Sequence, residues 1–137
     1  FISQVAIGRI DKLMIFGDDW PTSDGTGVRD YIHIIDLAEG HLSALKNLLE
    51  DNCKKIIKLN LGSGKGHSVL EVIKTFNKVT GVNIPYEITN RRSGDTAITV
   101  ADPSLSKKIL GWETKRSLFE MCRDSWHWQT KNPNGYY

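Results

Sequence analysis

The sequence predicts an α/β fold. Short runs of β-branched and aromatic residues alternate along its 137 residues with longer segments whose apolar residues recur every three or four positions. Glycine or proline stands at several boundaries between these segments, as expected for turns. Because the sequence contains no repeats or low-complexity tracts, the segments form one series of alternating strands and helices.

The first half of the chain is expected to contain two helical segments and two strands. The predicted elements are the end of a helix in residues 1–10, a strand at 13–16, a loop at 18–27 and a strand at 31–34. Asp36 is the expected N-cap of a helix that ends near Leu49. The apolar stripe of this helix comprises Leu37, Leu42, Leu45, Leu48 and Leu49.

The second half continues the alternation. The predicted elements are a strand at 55–61, a glycine turn at 62–66, a helix at 68–80, a strand at 84–89, a polar loop at 90–95, a short helix that begins after Asp102-Pro103 and ends at Leu110, and a helix from 117 to about 131. Ser68 with Glu71, and Ser117 with Glu120, have the spacing of a capping box. The inward face of the helix at 68–80 comprises Val69, Val72, Ile73, Phe76 and Val79.

Composition and charge indicate an ordinary globular domain. Hydrophobic residues make up 39% of the chain, charged residues 25%, and the net charge is +2. This balance argues against nucleic acid or a membrane as a partner, and no apolar run approaches the roughly 20 residues of a membrane span. Cys53 and Cys122 lack metal-site spacing, so Cys122 is expected to pack in the core of a cytoplasmic protein. The chain begins at Phe1 without an initiator methionine, which predicts a segment of a longer polypeptide.

The sequence lacks several familiar catalytic patterns. The glycine turn at 62–66 lies between a strand and a helix, but no Ser or Thr follows Lys65 as in a phosphate loop. His67 stands where the third glycine of G-x-G-x-x-G belongs, so a structural turn is predicted. The histidines do not have the spacing of metal ligands, and no Ser-His-Asp arrangement is recognisable.

Two glycine-containing loops carry arginines that could bind an anion. Arg29 ends the first loop, and Arg91 and Arg92 lie in the second with Asp95 three residues further on. Two guanidinium groups can neutralise a diphosphate, and a carboxylate can accept hydrogen bonds from a sugar diol. From composition alone, surface salt bridges are an equally open interpretation of both sites.

Six motifs, in this order, resemble the C-terminal part of the UDP-glucose 4-epimerase family of the extended short-chain dehydrogenase/reductase superfamily. They are Asp-Gly-Thr-Gly-Val-Arg-Asp-Tyr-Ile-His at 24–33, Asp-Leu-Ala-Glu-Gly-His at 36–41, Leu-Asn-Leu-Gly-Ser-Gly at 59–64, Arg-Arg-Ser-Gly-Asp at 91–95, Trp-His-Trp-Gln at 126–129 and Asn-Pro-Asn-Gly-Tyr at 132–136. An Arg-Asp-aromatic step alone would fit many nucleotide-sugar dehydratases. The complete first motif with the tryptophan-rich ending is specific to the epimerases.

The resemblance implies the C-terminal part of an NAD-binding Rossmann-like fold, with the N-terminal Rossmann core absent. Enzymes of this family interconvert UDP-glucose and UDP-galactose by transient NAD-dependent oxidation at C4. The dinucleotide fingerprint and the Tyr-x-x-x-Lys pair that perform this chemistry are absent here, since neither Tyr31 nor Tyr86 has a lysine four residues on. NAD is therefore expected in the missing domain, and this chain alone is expected to bind substrate without catalysis.

The resemblance also implies which residues bind the substrate. The backbone at Met14 and Phe16 is expected to lie against the uracil. Arg29 and Arg92 are expected to bind the diphosphate, with Tyr31 nearby. The family offers no comparable role for the arginine that precedes Arg92.

Two further positions concern the sugars. Asp95 is expected to accept hydrogen bonds from the ribose hydroxyls. Thr99 occupies the position where a bulky tyrosine restricts some members to unsubstituted hexoses, so its small side chain predicts that N-acetylated UDP-hexosamines are also accepted. Thr99 could equally be an ordinary strand residue.

The whole chain, residues 1–137, is thus expected to be a UDP-sugar-binding part, with 55–61 an edge strand of the missing Rossmann sheet. Without that sheet, the strand and the helix after Asp36 should expose apolar surface and favour self-association. The full-length enzyme is expected to be a homodimer through the missing domain. The alternatives are another nucleotide-sugar epimerase or dehydratase of the same superfamily, and a non-catalytic UDP-sugar-binding module.

Overall fold

The computed structural model describes residues 1–50 and 56–135 and has the expected α/β class. In order, the elements are α1 (Ile2–Ala6), β1 (Leu13–Phe16), β2 (Val28–Asp30), α2 (Ile34–Glu50), β3 (Gly66–Ser68), α3 (Val69–Thr80), β4 (Tyr86–Thr89), β5 (Ile98–Thr99), α4 (Ser104–Leu110) and α5 (Leu118–Lys131). Within the described ranges, no helix is both long and apolar enough to cross a membrane.

The strands form two small sheets. β1 and β4 pair in parallel, with Leu13 opposite Tyr86. In the second sheet, the central strand β2 is antiparallel to β3 and parallel to β5. This register places Arg29 between His67 and Thr99.

The hydrophobic core lies where α3 and α5 pack against β1 and α1. The buried residues of this core are Val5, Ile15, Ile73, Phe76, Ile84, Leu118 and Cys122. Phe76 meets Trp126 edge to face, with the ring centroids 6.1 Å apart. Cys122 is 4% exposed in this core, which confirms its packing role, and burial raises the pKa of its thiol to about 11. Cys53 lies outside the described residues.

Both predicted capping serines begin helices. The Ser68 hydroxyl accepts the Glu71 backbone N–H at 3.0 Å at the start of α3, but the Glu71 carboxylate contacts His67 instead of closing the capping box. At the start of α5, Ser117 and Glu120 form a complete capping box. The predicted boundaries of both helices are confirmed to within one residue.

Hydrogen bonds from the segment before α5 hold the start of α2. The fully buried carboxylate of Asp36 accepts backbone N–H groups of Lys115 and Arg116 at 3.2 and 3.0 Å, and it also pairs with the Arg116 guanidinium. The backbone carbonyl of Asp36 accepts the Trp112 indole N–H at 3.0 Å. Burial by itself would raise the pKa of Asp36, but these hydrogen bonds outweigh it and hold the pKa below its ordinary value.

The strand predicted at 31–34 is wrong by several residues. The hydrogen-bonded strand is β2, at Val28–Asp30, because only these residues lie between β3 and β5. α2 then begins at Ile34, where the His33 imidazole Nδ1 accepts the Ile35 N–H at 3.0 Å. Asp36 is consequently in the first turn of α2 and is not its N-cap.

The described residues of the strand predicted at 55–61 do not form a strand. Lys55 lies outside the described residues, and 56–61 has no strand assignment. A strand needs a hydrogen-bonded neighbour, and each described strand is paired elsewhere. The Asn60 carbonyl instead accepts the Ser106 hydroxyl. That this segment joins a larger sheet stays a prediction.

Candidate functional site

A cavity of about 410 Å³ gathers all the predicted binding residues except Thr99. Its lining includes Met14, Phe16, Trp20, Arg29, Tyr31, Arg92 and Asp95, together with apolar residues of α1, β1 and α3. These residues come from segments far apart in the sequence, and the fold brings them to one place. The apolar walls and few polar groups are typical of a small-molecule site.

Strand alternation explains the apolar wall. Met14 and Phe16 lie two residues apart on β1, so both side chains face the cavity. Ile15 between them is 1% exposed and packs in the core, where it also borders the cavity. Met14 is 39% exposed, so apolar surface remains open to a ligand on this side.

A network of hydroxyl and carboxylate groups holds the loop before β2. Thr26 is fully buried, and both its N–H and its hydroxyl donate to the Asp24 carboxylate, at 3.0 and 2.7 Å. The Ser68 hydroxyl at the start of α3 donates to the same carboxylate, and the Val69 N–H donates to the Gly27 carbonyl at 3.2 Å. This network places the first residues of β2 at the cavity.

Arg29 projects from the middle of β2. Its guanidinium donates to the Val28 carbonyl at 2.8 Å and lies near the Ala97 carbonyl at 3.5 Å. No carboxylate within residues 1–50 and 56–135 forms an ion pair with Arg29, so its hydrogen-bond partners there are backbone carbonyls. This half-buried positive charge can therefore bind an anionic ligand.

Arg92 has a different environment. Its guanidinium lies 4.2 Å from the centroid of the Phe16 ring and donates from Nε to the Asp95 carboxylate at 3.0 Å. The Arg92 side chain is 60% exposed, and that of Asp95 is 24% exposed. The alternative that these arginines only form surface salt bridges therefore holds in part for Arg92, which pairs with Asp95, and does not hold for Arg29. Because a guanidinium carries five N–H donors, Arg92 retains donors for a second anion.

Tyr31 lies in the same cavity with its phenol half-buried. Burial raises the pKa of the phenol, and the nearby Arg29 guanidinium partly offsets this effect. The hydroxyl is therefore neutral at pH 7 and can donate a hydrogen bond.

Thr99 lies in a neighbouring cavity of about 450 Å³. Arg29 lines both cavities, and the second one also contains Asn60 and Asp102. The Thr99 hydroxyl is 2.9 Å from that of Thr96. A ligand that reached from the first cavity past Arg29 would meet the small side chain of Thr99.

The family resemblance assigns no role to Arg91, which lies against Trp20 and is not part of the cavity lining. Its Nε donates to the Asp19 carboxylate at 2.6 Å, and its guanidinium stacks on Trp20 at 3.8 Å from the ring centroid. The adjacency of Arg91 and Arg92 was visible in the sequence. The aromatic and acidic partners of Arg91 are some 70 positions away, so only the fold reveals them.

The glycine turn at 62–66 is structural, as predicted. The Asp30 carboxylate accepts the Ser63 and Gly64 N–H groups, both at 2.9 Å, and the Ala101 N–H at 3.2 Å. Burial would raise the pKa of Asp30, but these hydrogen bonds lower it, so the carboxylate is charged. A dinucleotide pyrophosphate needs such N–H groups for itself, so this turn does not fit NAD.

His33 likewise has structural contacts. The described part of the chain contains no cluster of His, Cys, Asp or Glu suited to a metal ion. His33 is 4% exposed, and its Nε2 is 3.1 Å from the Asp124 carboxylate. Since Nδ1 accepts the Ile35 N–H, Nε2 carries the proton and donates to Asp124.

Comparison with known proteins connects this cavity to nucleotide-sugar enzymes. A family model described as GDP-mannose 4,6 dehydratase matches residues 1–125. The UDP-glucose 4-epimerase of Bacillus subtilis (strain 168) is 54% identical over 136 residues, which are 99% of this chain and 40% of that protein. This chain thus spans about 40% of the length of such relatives and matches their C-terminal part.

Solved structures show the same correspondence. UDP-glucose-4-epimerase from Stenotrophomonas maltophila, with bound NAD and formylated UDP-arabinopyranose, superposes with a TM-score of 0.92 at 50% identity, over 96% of this chain and 39% of that one. The UDP-Glc/GlcNAc 4-epimerase of Campylobacter jejuni gives a TM-score of 0.84 at 38% identity, over 95% of this chain and 39% of that one. These similarities confirm that the fold is that of the C-terminal part of NAD-binding Rossmann-type epimerases.

Proposed function

Because this chain belongs to the family described as GDP-mannose 4,6 dehydratase, and because a relative that is 54% identical is a UDP-glucose 4-epimerase, we propose that the chain is the UDP-sugar-binding part of such an epimerase. The complete enzyme would interconvert UDP-glucose and UDP-galactose. This chain would supply the contacts to the substrate and would be inactive alone. It would bind UDP weakly by itself, because the cavity is expected to be completed by the rest of the polypeptide.

The observation that carries this proposal is the single cavity that unites two arginines with an apolar wall. Arg29 and Arg92 can divide the charge of a diphosphate, since guanidinium forks match phosphate oxygens. The wall at Met14 and Phe16 suits a flat base, and the Asp95 carboxylate suits a ribose diol. A UDP-sugar carries all three groups in one molecule.

We assign NAD to the N-terminal region of the complete polypeptide. When bound, NAD supplies hydride transfer at C4 of the sugar. The glycine turn at 62–66 is filled by Asp30 and offers no cradle for its pyrophosphate. We therefore assign no chemical step to this chain, whose own residues bind and orient the substrate.

We extend the proposal to assembly and location. Residues 56–61 would add a strand to the sheet of the N-terminal region. The complete enzyme would be a homodimer whose two subunits contact each other through their N-terminal regions. The exposed apolar side chains on α2 and at Ile56, which is 90% exposed, suit such a cover. The free, buried thiol of Cys122 suits a reducing cytoplasm.

We further propose that N-acetylated UDP-hexosamines are substrates. The small Thr99 side chain beside Arg29 leaves room for a 2-N-acetyl group, and a relative with 38% identity is a UDP-Glc/GlcNAc 4-epimerase. Thr99→Tyr should remove turnover of the acetylated sugars and spare that of UDP-glucose. If the enzyme with Thr99 turns over UDP-glucose but not the acetylated sugars, this extension is wrong.

The main test joins this chain to the part of the Bacillus subtilis relative that precedes the matched region. This joined polypeptide should convert UDP-galactose to UDP-glucose, and the chain alone should not. Arg29→Ala and Arg92→Ala should each raise KM by about tenfold or more, because each removes a charged contact to the diphosphate. Arg123→Ala, which removes an exposed arginine paired with Asp124 outside the cavity, should leave KM unchanged.

Two results would overturn the proposal. One is a folded, NAD-containing joined polypeptide without epimerase activity, and a 4-keto product would then indicate a dehydratase. The other is a KM for Arg29→Ala and Arg92→Ala equal to that of Arg123→Ala. Submicromolar affinity of the chain alone for UDP would instead support an independent binding module.

A further inference from the structure

Arg91 has contacts that suit a role in ordering the cavity. It is next to Arg92 in the chain, but it does not line the cavity. We propose that Arg91 is a positioning residue that fixes the loop at 90–95 so that Arg92 points into the cavity. This inference rests on the proposed function, in which Arg92 binds the diphosphate.

Two guanidinium–aromatic stacks connect the loop at 90–95 to the last residue of β1 and to the segment that follows β1. Arg91 stacks on Trp20 at 3.8 Å and Arg92 stacks on Phe16 at 4.2 Å, measured to the ring centroids. The two aromatic residues are also connected, because the Trp20 indole N–H donates to the Phe16 backbone carbonyl at 3.2 Å. Neighbouring arginines are therefore held apart on neighbouring rings.

The donors of Arg91 are directed at Asp19, which does not line the cavity. Nε donates to the Asp19 carboxylate at 2.6 Å, and a terminal nitrogen donates to the Asp19 backbone carbonyl. The carboxylate also neutralises the Arg91 charge. Arg29, by contrast, has only backbone carbonyls as partners among the described residues.

The loop at 90–95 has few other constraints. It contains no helix or strand, and within it the Asp95 N–H donates to the Arg92 carbonyl at 3.3 Å. The Arg92 side chain is 60% exposed, so without an anchored neighbour it would lose more conformational freedom on binding a ligand. Anchoring Arg91 reduces that entropic cost.

Gly17 provides the space for this anchor. Its φ is +89°, and a Cβ at this position would lie 2.7 Å from Cγ of Arg91 and 2.9 Å from Nε1 of Trp20. Gly17→Ala would therefore displace Arg91 without removing its charge. Because a side chain at this positive φ also strains the backbone and clashes with Trp20, which lines the cavity, Arg91→Ala is the cleaner variant.

The test uses the joined polypeptide and compares UDP with uridine as competitive inhibitors. Arg91→Ala should raise the inhibition constant of UDP about fivefold to tenfold, because a displaced Arg92 binds the diphosphate less tightly. The inhibition constant of uridine, which has no diphosphate, should change less than about twofold. KM should rise in parallel with kcat nearly unchanged. In an Arg92→Ala background, Arg91→Ala should have no further effect. Arg91→Lys should be intermediate.

Three results would contradict this role. An equal loss for uridine would mean that Arg91 supports the whole cavity, and an additive loss with Arg92→Ala would mean that Arg91 contacts the ligand directly. If Arg92→Ala raises the inhibition constant of UDP but Arg91→Ala does not, only the positioning role of Arg91 is wrong. If Arg29→Ala and Arg92→Ala also leave UDP inhibition unchanged, the proposed function fails instead. Arg123→Ala is the matched control in every measurement.

Discussion

Helices α2 and α3 have similar sequence patterns and very different surroundings. Both carry apolar residues at helical spacing, but an inward face was expected for α3, whereas α2 was expected to expose apolar surface in the absence of the missing sheet. In α3, Ile73 and Phe76 are 2% and 1% exposed. In α2, Leu45 and Leu49 remain 53% and 74% exposed. Periodicity therefore identified both helices without revealing which one is covered.

The difference comes from what lies opposite each helix. α3 packs against α5, whose Leu118 and Cys122 complete the core. α2 is held mainly at its start, by the buried Asp36, and at Gly40, where an added Cβ would lie 3.0 Å from both Leu61 and Trp112. Its C-terminal leucines have no comparable cover within the described residues. The α3–α5 half thus holds the cavity, and the α2 half presents an apolar surface.

The largest expected effect separates the two helices directly. Phe76→Ala in α3 should lower the free energy of unfolding by about 3–5 kcal/mol, because it leaves a void in the core. The matched change Leu49→Ala in α2 should alter it by about 0.5 kcal/mol or less. Urea unfolding followed by tryptophan fluorescence measures both. Equal losses would show that α2 is as well packed as α3.

The next effect concerns the polar attachment of α2. Asp36→Asn should destabilise the fold by about 2–3 kcal/mol, since charged hydrogen bonds to Arg116 are lost. The folded pKa of Asp36 is lowered, so its contribution is complete above the unfolded pKa of about 3.9 and falls as the pH drops through the folded value. Asp36→Asn should therefore show a smaller loss of stability on acidification. The pKa values of Asp24 and Asp30 are also lowered by hydrogen bonds despite burial. These two residues should account for the pH dependence of stability that remains in Asp36→Asn.

An identical acid dependence of the wild type and Asp36→Asn would contradict this assignment. Glu113→Gln is a suitable control, because Glu113 forms an exposed pair with Lys107. Its loss should cost little stability.

The smallest effect on stability should accompany a clear effect on association. The double substitution Leu45→Glu and Leu49→Glu should hardly change unfolding, because both side chains are largely exposed. It should weaken self-association of the chain, since charge disfavours apolar contact between copies. Sedimentation velocity over a range of concentrations measures this. Unchanged association would show that the exposed apolar face of α2 does not mediate self-association.

Much of the fold could be predicted where the signal was local. The capping serines Ser68 and Ser117 identified the starts of α3 and α5, because caps satisfy backbone groups within one turn. The strand predicted at 31–34 was misplaced, because β2 is defined by its partners β3 and β5 and not by its own residues. For the same reason, an apolar segment such as 56–61 cannot be a strand without a neighbour.

The cavity depended on a different kind of information. From residue types alone, the loops of Arg29 and Arg92 could not be shown to meet, and only the resemblance to the epimerases grouped them. The structure brings both to one cavity. Asp19 and Trp20 were unremarkable in the sequence, because a guanidinium stack requires contacts that no local pattern encodes. Substrate roles for the lining residues remain predictions.

The most direct test is a crystal structure of the joined polypeptide with UDP. We predict that the diphosphate lies between the guanidinium groups of Arg29 and Arg92, with the uracil against Met14 and Phe16 and the ribose at Asp95. Phosphate oxygens should be about 2.7–2.9 Å from guanidinium nitrogens, as in charge-assisted pairs. A diphosphate bound elsewhere, with this cavity filled only by water, would contradict the assignment of the site.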